Sequence, residues 1–315
     1  MIKELAKKVI STIKKYDTIT IFGHIRPDGD CYGSQFGLKN IIKTTFPDKK
    51  VYVLTDKCLY VSFLGKTDIL DDDVIKNSLA IVVDTGSIDR VSDLRFQTAK
   101  EIIKLDHHIV NDEYGYFGTN INYIEDEKPA TCQILTEFLL QFKELKISKE
   151  GAIALYTGII TDTGGFRYRG VDSTTLKCAA YLIDKGVDVE YIATMLGTRS
   201  YESLLFEGYV INNLVRDGGL VYCVLRKDII EKYNVTYEDA SNMISVYSGL
   251  ENCPIWFLVI ENKDLSIRLR IRSNKINLIE LSNKYEGGGH EFATGAKLKD
   301  WSKLKEFVKD AKSFL

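Results

Sequence analysis

Thr18-Ile19-Thr20-Ile21-Phe22-Gly23-His24-Ile25-Arg26-Pro27-Asp28-Gly29-Asp30 is the stretch on which the fold turns. Thr18 to Phe22 is β-branched and aromatic, which predicts a strand, and Gly23-His24 ends it. Residues 31–45 follow with helical character, and Asp30 is placed to cap them. Upstream, Ile2, Leu5, Ala6, Val9, Ile10 and Ile13 recur with a helical period over residues 2–15. Downstream, Val51 to Leu54, Leu79 to Val83 and Glu101 to Leu105 are short apolar runs, each ending in polar residues. Helices are expected at 130–142, 150–160, 173–184 and 188–196. Short apolar strands alternating with helices imply βαβ units around a mostly parallel, buried sheet.

Past Arg199 to Leu214, one further helix, the rhythm changes. Gly218-Gly219 precedes a strand at Leu220 to Leu225, then come a helical stretch near 236–247 and strands at 254–260 and 265–272. Neighbouring β runs indicate a smaller mixed-sheet α/β domain. The expected division is 1–195 for the first domain, 196–217 for a helical linker and 218–315 for the second. A length of 315 residues accommodates about two domains at roughly 150 residues each.

Composition bounds the function. Apolar residues at 45% and charged residues at 27% are ordinary for a globular chain. A net charge of -2 gives no global attraction for nucleic acid, so an anionic ligand must meet a local basic patch. Cys31, Cys58, Cys132, Cys178, Cys223 and Cys253 form no C-x-x-C pair, which argues against a disulfide or zinc framework and for a reducing compartment. The start Met1-Ile2-Lys3-Glu4-Leu5-Ala6 lacks a hydrophobic signal core. No apolar run approaches the ~20 residues that span a bilayer, so a cytoplasmic protein without membrane contact is expected.

All four histidines lie in motif-like clusters: His24 with Asp28 and Asp30, His107 and His108 after Asp106, and His290 after Gly287-Gly288-Gly289. Three acidic or imidazole clusters follow expected strands directly: His24/Asp28/Asp30, Asp84 after Val83, and Asp106-His107-His108 after Leu105. Ligands of open α/β sheets bind at the carboxyl ends of strands, so residues distant in sequence should converge. Asp162, in Thr161-Asp162-Thr163-Gly164-Gly165, ends another apolar segment and could add a carboxylate.

Charge decides what such a cluster must hold. Two like charges ~4 Å apart repel by about 4 kcal/mol at an effective dielectric of ~20. Asp28, Asp30, Asp84 and Asp162 in one cleft would therefore take up protons or bind cations. Two divalent ions cancel four carboxylates, and two histidines complete the ligands. Oxygen and imidazole without sulfur favour manganese, with magnesium, cobalt or iron as alternatives. Such a pair suits in-line displacement at phosphorus. If Asp106-His107-His108 continues its strand, the two imidazoles face opposite ways, one to metal and one to substrate. Asp106 could then orient an imidazole.

In the second domain, Ile267, Leu269 and Ile271 should face a core and Arg268, Arg270 and Arg272 the other side. A solvated outer face is the ordinary fate of such residues. Three neighbouring arginines repel one another, however, and an anion lying over them explains them better. Gly287, Gly288 and Gly289 would let backbone N–H groups approach a phosphate, with His290 as a further donor. A helical segment is expected at 276–285 before them.

The succession H-x-R-P-D-G-D, V-D-T-G, D-H-H-x-x-N and T-D-T-G-G-F-R-Y resembles the DHH phosphoesterase superfamily. Within it the chain is most similar to stand-alone bacterial nanoRNA and pAp phosphoesterases of the NrnA type. The resemblance implies two manganese ions, one held by His24, Asp28 and Asp84. Asp30, Asp84, His107 and Asp162 would hold the other, with Asp84 shared. It associates His108 with the scissile phosphate, and Arg272, Ser273 and the G-G-G-H turn with the substrate. Glu286 stands where relatives often carry another glycine, and Thr294 where alanine is frequent. The implied substrates are short RNA, linear dinucleotides such as pApA, and pAp. A cyclic-di-AMP phosphodiesterase and a non-catalytic nucleotide- or RNA-binding regulator stay open, as does a homodimer.

Overall fold

A computed structural model of the chain describes residues 2–108, 120–168 and 170–315. Asn111 of the D-H-H-x-x-N pattern lies outside them. Two compact units appear, Met1–Gly197 and Thr198–Leu315.

The first unit is a five-stranded sheet of β1 (Thr18–Phe22), β2 (Lys50–Leu54), β3 (Leu79–Val83), β4 (Glu101–Asp106) and β5 (Ile121–Ile124). The order is β2-β1-β3-β4-β5 and every pairing is parallel. Around it run α1 (Ile2–Lys15), α2 (Gly29–Thr45), α3 (Asp72–Lys76), α4 (Thr131–Gln141), α5 (Lys149–Asp162), α6 (Ser173–Asp184) and α7 (Val189–Gly197). Strand residues alternate between two cores, as a sheet covered on both faces requires. Ile19, Ile21, Ile81, Ile103 and Leu105 join the larger core with α1, α2, α4 and α5. Phe22, Ala80, Val82, Phe96 and Ile102 form the smaller one.

Two glycines let α2 and α5 come close. A Cβ on Gly33 would stand 2.5 Å from the carbonyl oxygen of Ala154, and one on Gly158 2.7 Å from Oδ1 of Asp30. Only a bare backbone fits there. The contact brings the first turn of α2 against the last turns of α5, and so Asp30 towards Asp162.

The cap of α2 differs from expectation. The helix begins at Gly29, and Asp28 caps it, its Oδ1 accepting from the N–H groups of Asp30 (3.1 Å) and Cys31 (3.0 Å). Asp-Gly-Asp offers two carboxylates to one helix start, and the first reaches the orphan N–H groups. Asp30 is thereby freed to turn inward, where it is fully buried.

The second unit holds a six-stranded mixed sheet in the order β10-β11-β9-β8-β7-β6. Its elements are α8 (Tyr201–Asn212), β6 (Val215–Asp217), β7 (Leu220–Leu225), α9 (Lys227–Lys232), α10 (Tyr237–Asn242), β8 (Ile255–Glu261), β9 (Ile267–Ser273), α11 (Ile279–Asn283), β10 (Gly288–His290), β11 (Ala293–Leu298) and α12 (Leu304–Lys312). Only β7 and β8 pair in parallel. The helix read as a connector, α8, buries Phe206 and Val210 in this unit's own core. Gly288 to His290, expected as a free turn, is an edge strand paired with β11, because a hairpin satisfies backbone groups that a bare loop would leave to water.

Candidate functional site

β1, β3 and β4 are neighbours, so the residues leaving their carboxyl ends emerge side by side. His24 follows β1, Asp84 follows β3 and His107 follows β4. The start of α2 supplies Asp28 and Asp30, and the end of α5 supplies Asp162. All six residues expected as ligands therefore come together.

Asp84 sits at the centre. Its Oδ2 is 3.8 Å from Nε2 of His24, and its Oδ1 is 3.3 Å from Nε2 of His107. His24 Nε2 is 3.7 Å from Asp28 Oδ2. His107 Nε2 is 3.3 Å from Asp162 Oδ2 and 3.9 Å from Asp30 Oδ2. Each carboxylate oxygen of Asp84 thus faces a different imidazole, as expected of a residue shared by two cations. Asp84 is also held at φ 51°, a left-handed conformation that costs a non-glycine residue about 1–2 kcal/mol.

The imidazoles are set as ligands. Nδ1 of His24 lies 2.9 Å from the carbonyl oxygen of Ile25, and Nδ1 of His107 lies 3.0 Å from that of Lys128. An Nδ1–H donated to a carbonyl leaves the Nε2 lone pair facing the carboxylates. Asp30 is steadied by the start of α4, accepting from the N–H groups of Thr131 (2.6 Å) and Cys132 (2.9 Å). Thr131 Oγ1 donates to Asp84 Oδ1 at 3.1 Å. This donor set fits hard divalent cations.

The charges strain against one another. Burial and the neighbouring Asp84 push Asp30 up to about 7, and burial with Asp30 and Asp84 raises Asp162 well above the carboxylate range. Burial opposes the charge on His107, but hydrogen bonding to Asp84 and three nearby carboxylates outweigh it and hold the imidazole at about 11. Without cations, protons carry the compensation.

His108 does not face the opposite way from His107 as expected: β4 ends at Asp106, and the two rings lie 4.7 Å apart between centroids. Nδ1 of His108 lies 2.8 Å from Asp106 Oδ1, and Asp106 also accepts from the N–H groups of His107 (2.9 Å) and His108 (3.2 Å). Behind Asp106, 3.1 Å from its Oδ2, stands Nζ of Lys104, and neither residue is exposed. Against burial, His108 and Lys104 draw the Asp106 carboxyl down to about 2. Asp106 orients His108, while Lys104, Thr131 and Cys31 were not singled out from the sequence. A lysine inside an otherwise apolar strand was a usable signal for the first; the other two had none.

In the second unit, cross-strand register places Arg272, Ala293 and His290 in one row and Arg270, Gly295 and Gly288 in the next. Directly paired residues share a face, so the three arginines and His290 lie on one side. Under β7 and β8 that side is covered by the core containing Trp256 and Leu258, and beyond it stand the arginines. Nη1 of Arg270 donates to the carbonyl oxygen (3.1 Å) and Oγ (2.8 Å) of Ser241. Burial, then Arg272 and Arg268, lower Arg270 to about 10. A hollow of about 280 Å³ in this unit is bordered by Arg268, Glu286, Gly287, Gly288, Gly295 and Lys297. Ser273 is elsewhere: it is buried on the opposite side, and its hydroxyl bonds to the backbone of Ile276.

Residues 18–159 match the DHH family, N-terminal domain, and residues 217–315 match the DHHA1 domain. The chain belongs to the DHH family of phosphoesterases. A probable bifunctional oligoribonuclease and PAP phosphatase NrnA of Streptococcus mutans is 33% identical over 98% of this chain and 98% of its own length. The bifunctional oligoribonuclease and PAP phosphatase NrnA of Bacillus subtilis is 30% identical over 96% of each. Within the family the chain is NrnA-like. The fold is shared with an exopolyphosphatase-related protein from Bacteroides fragilis, at a TM-score of 0.88 and 24% identity, over 99% of this chain and 95% of that one.

Proposed function

We propose that the chain is a divalent-metal-dependent phosphoesterase hydrolysing very short RNA, linear dinucleotides such as pApA, and pAp. The observation that carries the reading is the carboxylate of Asp84 between His24 and His107, 3.8 and 3.3 Å away. His24, Asp28 and Asp84 would hold one cation, and Asp30, Asp84, His107 and Asp162 the other, manganese being the ion preferred for both. When bound, the pair supplies charge neutralisation and a more acidic water.

The chain's own residues do the rest. His108, oriented by Asp106, would donate to a phosphoryl oxygen, supported by its raised pKa: burial opposes the charge but Asp106 outweighs it. Arg268, Arg270, Arg272 and His290 would hold the distal nucleotide, with Gly287, Gly288 and Gly289 giving backbone access. The turn containing Ser273 would fix the end of the arginine strand. A cytoplasmic location belongs to the same reading, supported by six buried cysteines, none of them in a disulfide. Among the described residues no helix is long and apolar enough to cross a membrane.

The test compares manganese-loaded chain on 2- to 6-mers of RNA, pAp and cyclic-di-AMP. Turnover of pApA and pAp above the cyclic dinucleotide is expected. Nucleotide binding without cleavage at every metal concentration would favour a regulator, and fastest turnover of the cyclic substrate would favour that phosphodiesterase.

A further inference from the structure

Cys31 stands at the metal centre without a place in the carboxylate and imidazole set. It occupies the first turn of α2 and is wholly buried. Its Sγ groups with His24 and Asp84, their ligand-capable atoms all lying within 4.8 Å of one another. Two donors bound to one ion at ~2.0–2.3 Å can stand up to about 4.5 Å apart, so this trio can close on a cation with little movement.

The surroundings of the sulfur are those of an acceptor. The N–H of His24 and Nε2 of Gln35 each point at it from 3.3 Å. Gln35 is itself buried and anchored, its amide also donating to the carbonyl oxygen of Cys31 at 3.0 Å. A cysteine that merely fills space needs no donors aimed at its sulfur. Cys132, on the other side of the centre, shows the contrast. Its Sγ faces an acceptor, the carbonyl oxygen of Asp30 at 3.6 Å, and it joins no group of clustered ligand atoms among the described residues.

We infer that Cys31 is a ligand-capable thiolate of the cation position formed by His24 and Asp84, so that this half of the proposed manganese pair accepts thiophilic divalent ions of the zinc and cobalt class more readily than the half at His107 does. The inference rests on the two-cation reading above. The two positions then differ in softness: Cys31 Sγ joins the ligand atoms of His24 and Asp84, whereas among the described residues no sulfur joins the group of Asp30, His107 and Asp162. Metal binding deprotonates the thiol, and the two N–H donors support the resulting charge.

Cobalt(II) titration of the metal-free full chain is the test. Visible d–d bands report an ion in the protein site, and a near-ultraviolet sulfur-to-cobalt charge-transfer band reports a thiolate ligand. The band is expected in the wild type and in Cys132→Ser, and absent in Cys31→Ser. Zinc affinity relative to manganese should drop roughly tenfold or more in Cys31→Ser. Visible bands without charge transfer in the wild type, or a band surviving in Cys31→Ser, overturn the role of Cys31 alone. No visible bands at all would overturn the metal centre itself. Cadmium NMR of the wild-type chain reads sulfur ligation directly should Cys31→Ser fail to fold.

Discussion

Asp106→Asn isolates the buried charge network behind His108. The substitution keeps the side chain's shape and removes its charge. Asp106 and Lys104 are both unexposed and 3.1 Å apart, in a strand whose neighbours on that face are Val82 and Ile102. Removing one partner of a buried pair costs about 3–5 kcal/mol, chiefly because the other charge stays in the interior. A smaller figure comes from titration. Holding the carboxyl near 2 rather than 3.8 is worth about 2 kcal/mol at 1.36 kcal/mol per unit. That value counts only the lost proton equilibrium and omits the ammonium left behind, so the larger one applies to the variant. Because the folded pKa is depressed, this stabilisation is present above pH ~4 and fades as pH falls towards 2. Lys104→Met added to Asp106→Asn removes the stranded cation and should recover at least about 2 kcal/mol. Trp256 and Trp301 both lie in the second unit, so hydrogen exchange of the β3 and β4 amides in EDTA is the suitable readout. A cost below about 1 kcal/mol at pH 7, or a double variant no more stable than the single, would refute the reasoning.

Other outcomes follow from particular contacts. Gly158→Ala puts a Cβ 2.2 Å from Sγ of Cys132 and 2.7 Å from Oδ1 of Asp30, so it should cost about 1–3 kcal/mol and weaken metal binding, read by thermal unfolding and calorimetry. Arg272→Ala should raise KM for pApA roughly 10- to 100-fold, with kcat less affected, and reduce the salt dependence of kcat/KM. An equal fall in kcat with KM unchanged would place Arg272 outside the grip. Thr294→Val should stabilise the second unit by about 1 kcal/mol in urea. The Thr294 hydroxyl is buried with no hydrogen-bond partner among the described residues, and it shares the face of Ile271.

The first sheet and its ligand ends were readable because parallel strands buried on both faces are almost pure apolar runs. Polar residues after Phe22, Val83 and Leu105 therefore stand out. β5 was missed for the converse reason: it is short, sits at the sheet edge, and exposes Asn122 between buried Ile121 and Tyr123. Asp28 and Asp30 could not be ranked as cap from local sequence, because what draws Asp30 inward is the start of α4, about a hundred residues away. Distance in sequence likewise hid β10, whose glycines read as a loop until β11 supplies a partner. Glu286 is the instructive departure. At the position where the family resemblance leads one to expect glycine, it adopts φ 51°, a left-handed conformation that glycine reaches without strain. Ser273 was grouped with Arg272 by the family resemblance, yet neighbouring strand residues point to opposite sides.

Why the fold gathers so many carboxylates in one place has an electrostatic answer. Amino ends of α2 and α4 both point at the cluster, and their N–H groups already favour anions at Asp28 and Asp30. Even so, Asp30 is driven up to about 7 and Asp162 well above its ordinary range. Helix dipoles and hydrogen bonds therefore do not neutralise the site; they only fix where the oxygens lie. His24 and His107 could supply charge as imidazolium ions, but each has its Nδ1 committed to a carbonyl and its Nε2 turned towards Asp84. A proton on Nε2 occupies the lone pair a cation would use, so protons and metal compete for the same positions. The backbone strain at Asp84 points the same way. Asp84 holds φ 51° at the one place where a carboxylate lies between two imidazoles, and strained backbone of this kind collects at functional sites.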